Sequence, residues 1–220
     1  LSGAEITYLP QQDWHGHEDL ARKIQSDYSA AGHKAFFIPI GASDEIGLWG
    51  YIAACEELKK DFARLQMVPE YIVVATGSGG TQGGLILGAE LFDLSSQIVA
   101  FNVSDDAAYF EAKIRNDVTL WMQRYKQQVD MDKLKITTVE GYIGPGYGVA
   151  GPEIFETIRD LASSDGIFLD PVYTGKAFHG MLSELRKGDA GQLADARNVL
   201  FIHTGGLFGV FPQQQNFVFD

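Results

Sequence analysis

Apolar residues in this chain fall into short unbroken runs separated by longer stretches of helical periodicity. Runs at about 5–9, 35–40, 71–76, 97–103, 136–142, 167–170 and 198–204 predict strands. Periodic stretches at about 18–31, 45–65, 81–93, 106–129, 152–163 and 175–187 predict helices. Runs such as 72–75 and 199–202 are apolar on both faces, which suits strands covered on both sides. The strand–helix alternation therefore predicts an α/β fold, a mostly parallel sheet with helices on both faces. A composition shift near residues 40–44 separates a small leading segment from the main sheet.

In such sheets ligands sit beyond the carboxyl ends of the strands. Four predicted loops at those ends are chemically loaded: 77–84, 141–151, 170–176 and 203–209. The first is the most telling. Thr76, Gly77, Ser78, Gly79, Gly80 and Thr81 follow an apolar strand and open a helix. Without Cβ atoms the backbone can fold around an anion, several N–H groups point inward, and the helix adds the positive end of its dipole. Ser78 and Thr81 supply further hydroxyl donors. Counting from Gly77 and Gly79, the sixth position is Gln82, so the dinucleotide fingerprint fails. Gly84 is followed by Leu85, so the Gly-Lys-Ser/Thr ending of a triphosphate loop fails too. A small phosphorylated cofactor remains, against the alternative of a glycine turn that binds nothing.

Composition narrows the partners. The formal net charge of -12 argues against nucleic acid and anionic membrane surfaces. No run of 18 apolar residues and no basic-then-apolar leader is visible. The single cysteine, Cys55, excludes an internal disulfide and fits a reducing compartment such as the cytoplasm; its place in a helical pattern makes it core filler. The chain opens on Leu1 rather than Met, and residues 1–10 read as the end of one element running into a short strand. The expectation is a natural start further upstream.

The remaining loops offer tyrosines and a threonine. Tyr142 and Tyr147 stand among the glycines of 141–148, and a phenol held there can serve as acid or base if a nearby cation lowers its pKa from about 10. A plain turn with an aromatic plug is the alternative. The stretch 169–176 ends a strand and opens a helix, exposing Tyr173 and Thr174. Lys176, at a helix start beside solvent-compatible residues, reads as an ordinary lysine rather than a carbonyl-trapping amine. Thr204 can hydrogen-bond a ring nitrogen, with Gly205 and Gly206 letting the backbone approach. His203 reads as a satisfied strand-end histidine. His15 and His17 read as a polar loop rather than a metal site, and Asp105 and Asp106 as the start of a helix.

Together these loops resemble the pyridoxal-phosphate enzymes of the D-cysteine desulfhydrase and 1-aminocyclopropane-1-carboxylate deaminase family, of tryptophan-synthase-β-like fold. The matching stretches, in family order, are 38–43, 76–81, 140–148, 170–176 and 203–206. The resemblance implies pyridoxal 5'-phosphate held by Thr76, Gly77, Ser78, Gly79, Gly80, Thr81, Thr204 and Gly205. It implies Tyr147 and Tyr173 as the active-site tyrosines and Thr174 at the substrate. Residues 1–40 are then a remnant of the small domain and 41–220 the large cofactor-binding domain.

Within the family, the deaminases typically carry glutamate after the tyrosine matching Tyr173 and leucine after the histidine matching His203. Thr174 and Thr204 resemble the desulfhydrases instead, with a hydroxyl rather than a carboxylate facing the pyridine nitrogen. The reaction implied is conversion of D-cysteine to pyruvate, ammonia and hydrogen sulfide by a homodimer. The family's Schiff-base lysine and its Ser-Asn carboxylate loop lie in an N-terminal part without a match here. The expectation is a fragment that recognises the phosphate without running the reaction. The alternatives are a 1-aminocyclopropane-1-carboxylate deaminase and a non-catalytic phosphate-binding module.

Overall fold

The structure, a computed structural model, describes residues 3–219, and of Gln11 and His15 the backbone only. The chain divides into two compact units, residues 1–42 and 43–220. Leu1 and Ser2, on which the reading of the chain start partly rests, lie outside the described residues.

The leading unit contains one α-helix, α1 (His17–Ala30), preceded by a 3-10 turn, Gln11–Gly16. The strands expected at 5–9 and 35–40 do not form. A strand is stable only when its amide and carbonyl groups are paired across a ladder, and no described segment pairs with either run. Their apolar side chains, among them Ile6, Tyr8, Phe36 and Ile38, lie exposed.

The larger unit is built as its alternation predicts. Helix α2 (Leu48–Leu65), β1 (Tyr71–Thr76), α3 (Gly80–Leu91), β2 (Gln97–Asn102), α4 (Ala107–Tyr125), β3 (Thr137–Val139), α5 (Pro152–Asp165), α6 (Thr174–Arg186) and β4 (Val199–Phe201) follow in order. The four strands form one parallel sheet in the order β3-β2-β1-β4, with Tyr71 opposite Gln97 and Thr76 opposite Asn102. Side chains alternate across the sheet. Ile72, Val74, Ile98 and Ala100 face one core built with α2, α3 and α4; Val73, Ala75, Val99 and Phe101 face a second built with α6. A third cluster joins α5 to Leu169. Cys55 is fully buried in the first core, where burial pushes its thiol up to about 12.

Several boundaries differ from the pattern, each for a local reason. Helix α2 begins at Leu48 rather than 45 because the Asp44 carboxylate takes the amides of Ile46 and Gly47 at 3.0 and 2.7 Å, closing a turn first. Helix α4 stops at Tyr125 because Lys126 adopts the left-handed conformation that ends helices. The run 167–170 is not a strand: the Phe168 carbonyl is taken by the His203 ring, at 2.8 Å from Nε2, instead of by a neighbouring strand's amide. Asp106 caps α4 through the Tyr109 amide at 2.7 Å, as expected of a helix start. Among the described residues no helix is long and apolar enough to cross a membrane.

Gly83 and Gly84, at the overlap of the expected loop 77–84 and helix 81–93, lie inside α3, as Gly88 does. A Cβ on Gly84 would lie 2.7 Å from the Cβ of Tyr51 and 2.8 Å from the Leu48 carbonyl oxygen; on Gly88 it would lie 2.7 Å from Cys55 Sγ. These glycines let α3 press directly onto α2. A Gly-to-Ala change in an open helix stabilises it by up to about 1 kcal/mol. Here the sign reverses: Gly84→Ala is expected to lower stability by about 1–3 kcal/mol through overpacking, read as a lower denaturant midpoint at unchanged m-value.

Candidate active site

Thr76 is the last residue of β1, and Val103, just beyond β2, donates its amide to the Thr76 carbonyl at 3.0 Å. The chain then turns through Gly77, Ser78 and Gly79 into α3. Gly79 has φ +87°, a conformation that side-chain-bearing residues rarely adopt, and it is the residue that swings the amides toward one point. Among the described residues, the amides of Gly77, Ser78, Gly79, Thr81 and Gln82 donate to no other group of the chain. The Thr76 hydroxyl is buried and without a partner. Its neighbour across the ladder, Asn102, likewise has a buried carbonyl oxygen, Oδ1, without one. Free amides at a helix N-terminus, joined by a buried unpartnered hydroxyl, form a cradle suited to a phosphate dianion.

Ser43 completes the cradle from outside the motif. Its hydroxyl lies 2.6 Å from that of Ser78 and accepts the Gly80 amide at 3.0 Å. Lys113 of α4 donates to the Ser43 carbonyl at 3.0 Å and is paired with Asp117. Burial pushes the Asp117 carboxyl up, against the pull of the Lys113 ammonium. Sequence reading placed Ser43 in a matching stretch without giving it a role. Only tertiary packing shows it, because the contact spans 35 residues of chain.

The tyrosines meet the cradle. A Cβ on Gly77 would lie 3.0 Å from the Tyr173 ring, a tight approach, so glycine here lets the ring lie close against the loop. The Tyr147 and Tyr173 hydroxyls are hydrogen-bonded to one another, the rings edge to face at 5.9 Å. Burial, then the Tyr147 hydroxyl, raises the Tyr173 phenol well above its ordinary value. Tyr173 therefore keeps its proton at neutral pH.

The stretch from Asp170 is wound around one carboxylate. Asp170 Oδ2 accepts the amides of Val172 and Tyr173 at 2.8 and 2.9 Å, and Oδ1 accepts the amide and the hydroxyl of Thr174 at 2.8 and 2.7 Å. The Thr174 hydroxyl also accepts the Asp170 amide at 2.9 Å. Thr174, expected to be exposed, is fully buried with its hydroxyl committed to Asp170. Lys176, expected beside solvent, is 1% exposed, and its Nζ donates to the carbonyls of Ile143 and Gly146 at 2.6 and 2.8 Å. Thr204 and Gly205 stand exposed beyond β4 on the same edge of the sheet as Thr76. His203 is satisfied, Nε2 donating to Phe168 and Nδ1 accepting the Gly205 amide at 3.0 Å. The side chain of His15 lies outside the described residues, and among those described no group of three His, Cys, Asp or Glu is placed to hold a metal ion.

Behind the tyrosines, the Tyr142 hydroxyl donates to Glu184 Oε1 at 2.6 Å, which Lys187 also meets at 2.6 Å; Glu184 Oε2 takes the Gln192 amide at 2.8 Å. Burial alone would raise the Glu184 carboxyl, but the bonds from Lys187, Tyr142 and Gln192 outweigh it and hold the carboxyl below the usual glutamate range.

With this geometry in place, comparison with known proteins is direct. The profile of the family described as "Pyridoxal-phosphate dependent enzyme" matches residues 1–205. A Thermotoga maritima protein named putative 1-aminocyclopropane-1-carboxylate deaminase is 35% identical over 99% of this chain and 66% of its own. An Arabidopsis thaliana protein named bifunctional D-cysteine desulfhydrase/1-aminocyclopropane-1-carboxylate deaminase, mitochondrial, is 33% identical over 97% of this chain and 52% of its own. A crystal structure titled as an ACC deaminase homologue superimposes with a TM-score of 0.75 at 31% identity, covering 96% of this chain and 60% of that one. The chain thus spans between half and two thirds of the length of these relatives.

A depressed carboxyl contributes stability above its unfolded pKa and loses it as pH falls through the folded value. Glu184→Gln is expected to cost about 2 kcal/mol at neutral pH and to flatten the loss of stability on acidification below the ordinary glutamate range. Denaturant titrations across pH check both.

Proposed function

Because the chain belongs to the pyridoxal-phosphate dependent enzyme family, we propose that it is the cofactor-holding part of a lyase that takes D-cysteine to pyruvate, ammonia and hydrogen sulfide. The observation that carries this reading is the contact between the Tyr173 ring and Gly77, which brings a phenol pair to the edge of an anion cradle. Residues 1–40 are then the back half of the smaller domain and 41–220 most of the larger. A homodimer belongs to the same proposal.

The residues fit the cofactor's phosphate. The open amides of 77–79, 81 and 82, the unpartnered Thr76 hydroxyl, and the hydroxyls of Ser78 and Thr81 would hold the dianion, with Gly80 held through Ser43. Thr204 would face the ring nitrogen as a neutral partner, backed by Gly205. When bound, the cofactor supplies an electron sink for a carbanion at the substrate Cα. The protein's part is to hold the phosphate, orient the amino acid and manage protons. Tyr173, whose phenol retains its proton, is suited to donate a hydrogen bond to the departing sulfur; Tyr147, on the exposed side of the pair, links it to solvent. Thr174 would act through Asp170, by fixing the backbone that carries Tyr173.

Deamination of 1-aminocyclopropane-1-carboxylate is the second reading, favoured by the names of the relatives. Thr174 and Thr204 favour D-cysteine. A longer version of the chain, carrying the family's N-terminal part, is expected to trap pyridoxal phosphate with borohydride and to form pyruvate from D-cysteine. The chain as given is expected to bind the cofactor without trapping it. Covalent trapping by both would overturn the view that Lys176, Lys113 and the surface lysines are not the covalent partner; binding by neither would favour a module with no cofactor chemistry. In the longer version, Thr204→Leu is expected to lower D-cysteine turnover by about tenfold or more and Thr204→Ser to retain it. Unchanged turnover in the leucine variant would refute the role given to Thr204.

A further inference from the structure

Lys176 stands apart from the other lysines. It is 1% exposed, and no carboxylate lies within ion-pair distance of it among the described residues. Burying an ammonium is costly unless its donors are satisfied. Here two backbone carbonyls meet that cost, those of Ile143 and Gly146. Both belong to the loop that carries Tyr147.

That loop has little to hold it in shape. Within 140–149 its own backbone provides one hydrogen bond, from the Val149 amide to the Gly146 carbonyl at 3.2 Å, and Gly144 and Gly148 both adopt positive φ. At its start the Glu140 carboxylate takes the Ala107 amide of α4 at 3.0 Å; beyond that its polar anchors come from α6. Lys176, Gly180 and Glu184 recur every four residues, so they share one face of that helix. Lys176 takes the two carbonyls, Gly180 gives room to the Tyr142 ring, whose Cγ a Cβ there would approach to 3.0 Å, and Glu184 takes the Tyr142 hydroxyl. Tyr173 is the N-cap of the same helix, three residues before Lys176. The helix that bears one phenol therefore grips the loop that bears the other.

We propose that Lys176 is a positioning residue for the tyrosine pair: by holding the Ile143 and Gly146 carbonyls from within α6, it sets where the Tyr147 hydroxyl meets Tyr173. This rests on the reading that the pair faces the substrate, but the geometry concerns only the protein. The same bonds argue against Lys176 as a nucleophile, since freeing its nitrogen would leave two loop carbonyls without their donor. Burial holds its pKa below the usual lysine range, partly opposed by Asp170, without giving it access to a ligand.

The test is made on the chain without cofactor or substrate. With nitrogen-labelled lysine, one side-chain signal is expected to exchange slowly with water and to vanish in Lys176→Met. With carbon-labelled tyrosine, Lys176→Met is expected to move the Tyr147 and Tyr173 signals and to bring the Tyr173 titration down, while Tyr142, held by Glu184, stays in place. Lys176→Gln, whose amide can still donate to one carbonyl, is expected to lie between. In a Tyr147→Phe background, Lys176→Met is expected to leave the Tyr173 titration unchanged, because its effect runs through Tyr147.

A folded Lys176→Met variant with unaltered Tyr147 and Tyr173 signals would overturn the proposal. So would the lack of a slowly exchanging lysine signal in the unaltered chain, a result that does not depend on any variant folding. If these signals behave as expected while pyridoxal phosphate fails to bind, the positioning stands and the proposed function falls.

Discussion

The register of the parallel sheet is the constraint on which the rest depends. Thr76 and Asn102 end their strands side by side, and Val103 closes the ladder onto the Thr76 carbonyl. Because all four strands run the same way, the loops after β1, β3 and β4 leave the sheet at one edge, and the stretch carrying Tyr173, which follows no strand, packs against the first of them. A one-residue slip would turn Thr76 to the opposite face and aim the Gly77 turn away from Tyr173. The apolar run 72–75 is buried on both sides, so such a slip would exchange its side chains between two differently packed cores rather than expose them, and its cost is the repacking of both.

The edge is then organised by polar groups packed behind the tyrosines and the open amides. Asp170 winds the chain so that Tyr173 opens α6, and Glu184 and Lys176 draw the loop of Tyr147 onto that helix. Ser43 and Lys113 do the corresponding work at the glycine turn. Both ends of the site thus rest on charged or hydroxyl groups within the protein, with the tyrosines and open amides in front of them.

Much of this was legible in the sequence. Periodicity identified the helices of the larger unit and the strands β1 to β4, because a strand buried on both faces and an amphipathic helix leave different traces. Motif chemistry picked out the glycine turn after β1 and both tyrosines, which the structure brings together. Two of the failures originate in contacts distant along the chain. The runs 5–9 and 35–40 have strand-like composition, but composition does not supply a neighbour to pair with. Lys176 looked like a surface residue because charge usually means solvent, and nothing local reveals that carbonyls 30 and 33 residues earlier are waiting for it. Thr174 differs: its partner Asp170 lies only four residues earlier, and it is the winding of the chain around that carboxylate that turns the hydroxyl inward.

The glycines of α3 carry a further implication. Gly80, Gly83, Gly84 and Gly88 make this helix a poor one by itself, each weakening it by about 1 kcal/mol relative to alanine. It persists because α2 clasps it along the groove those glycines open. The cradle is accordingly not a portable peptide property: cut out and grafted elsewhere, residues 71–91 would keep every donor and lose the scaffold that aims them, so the smallest transferable unit is the helix pair with its strand.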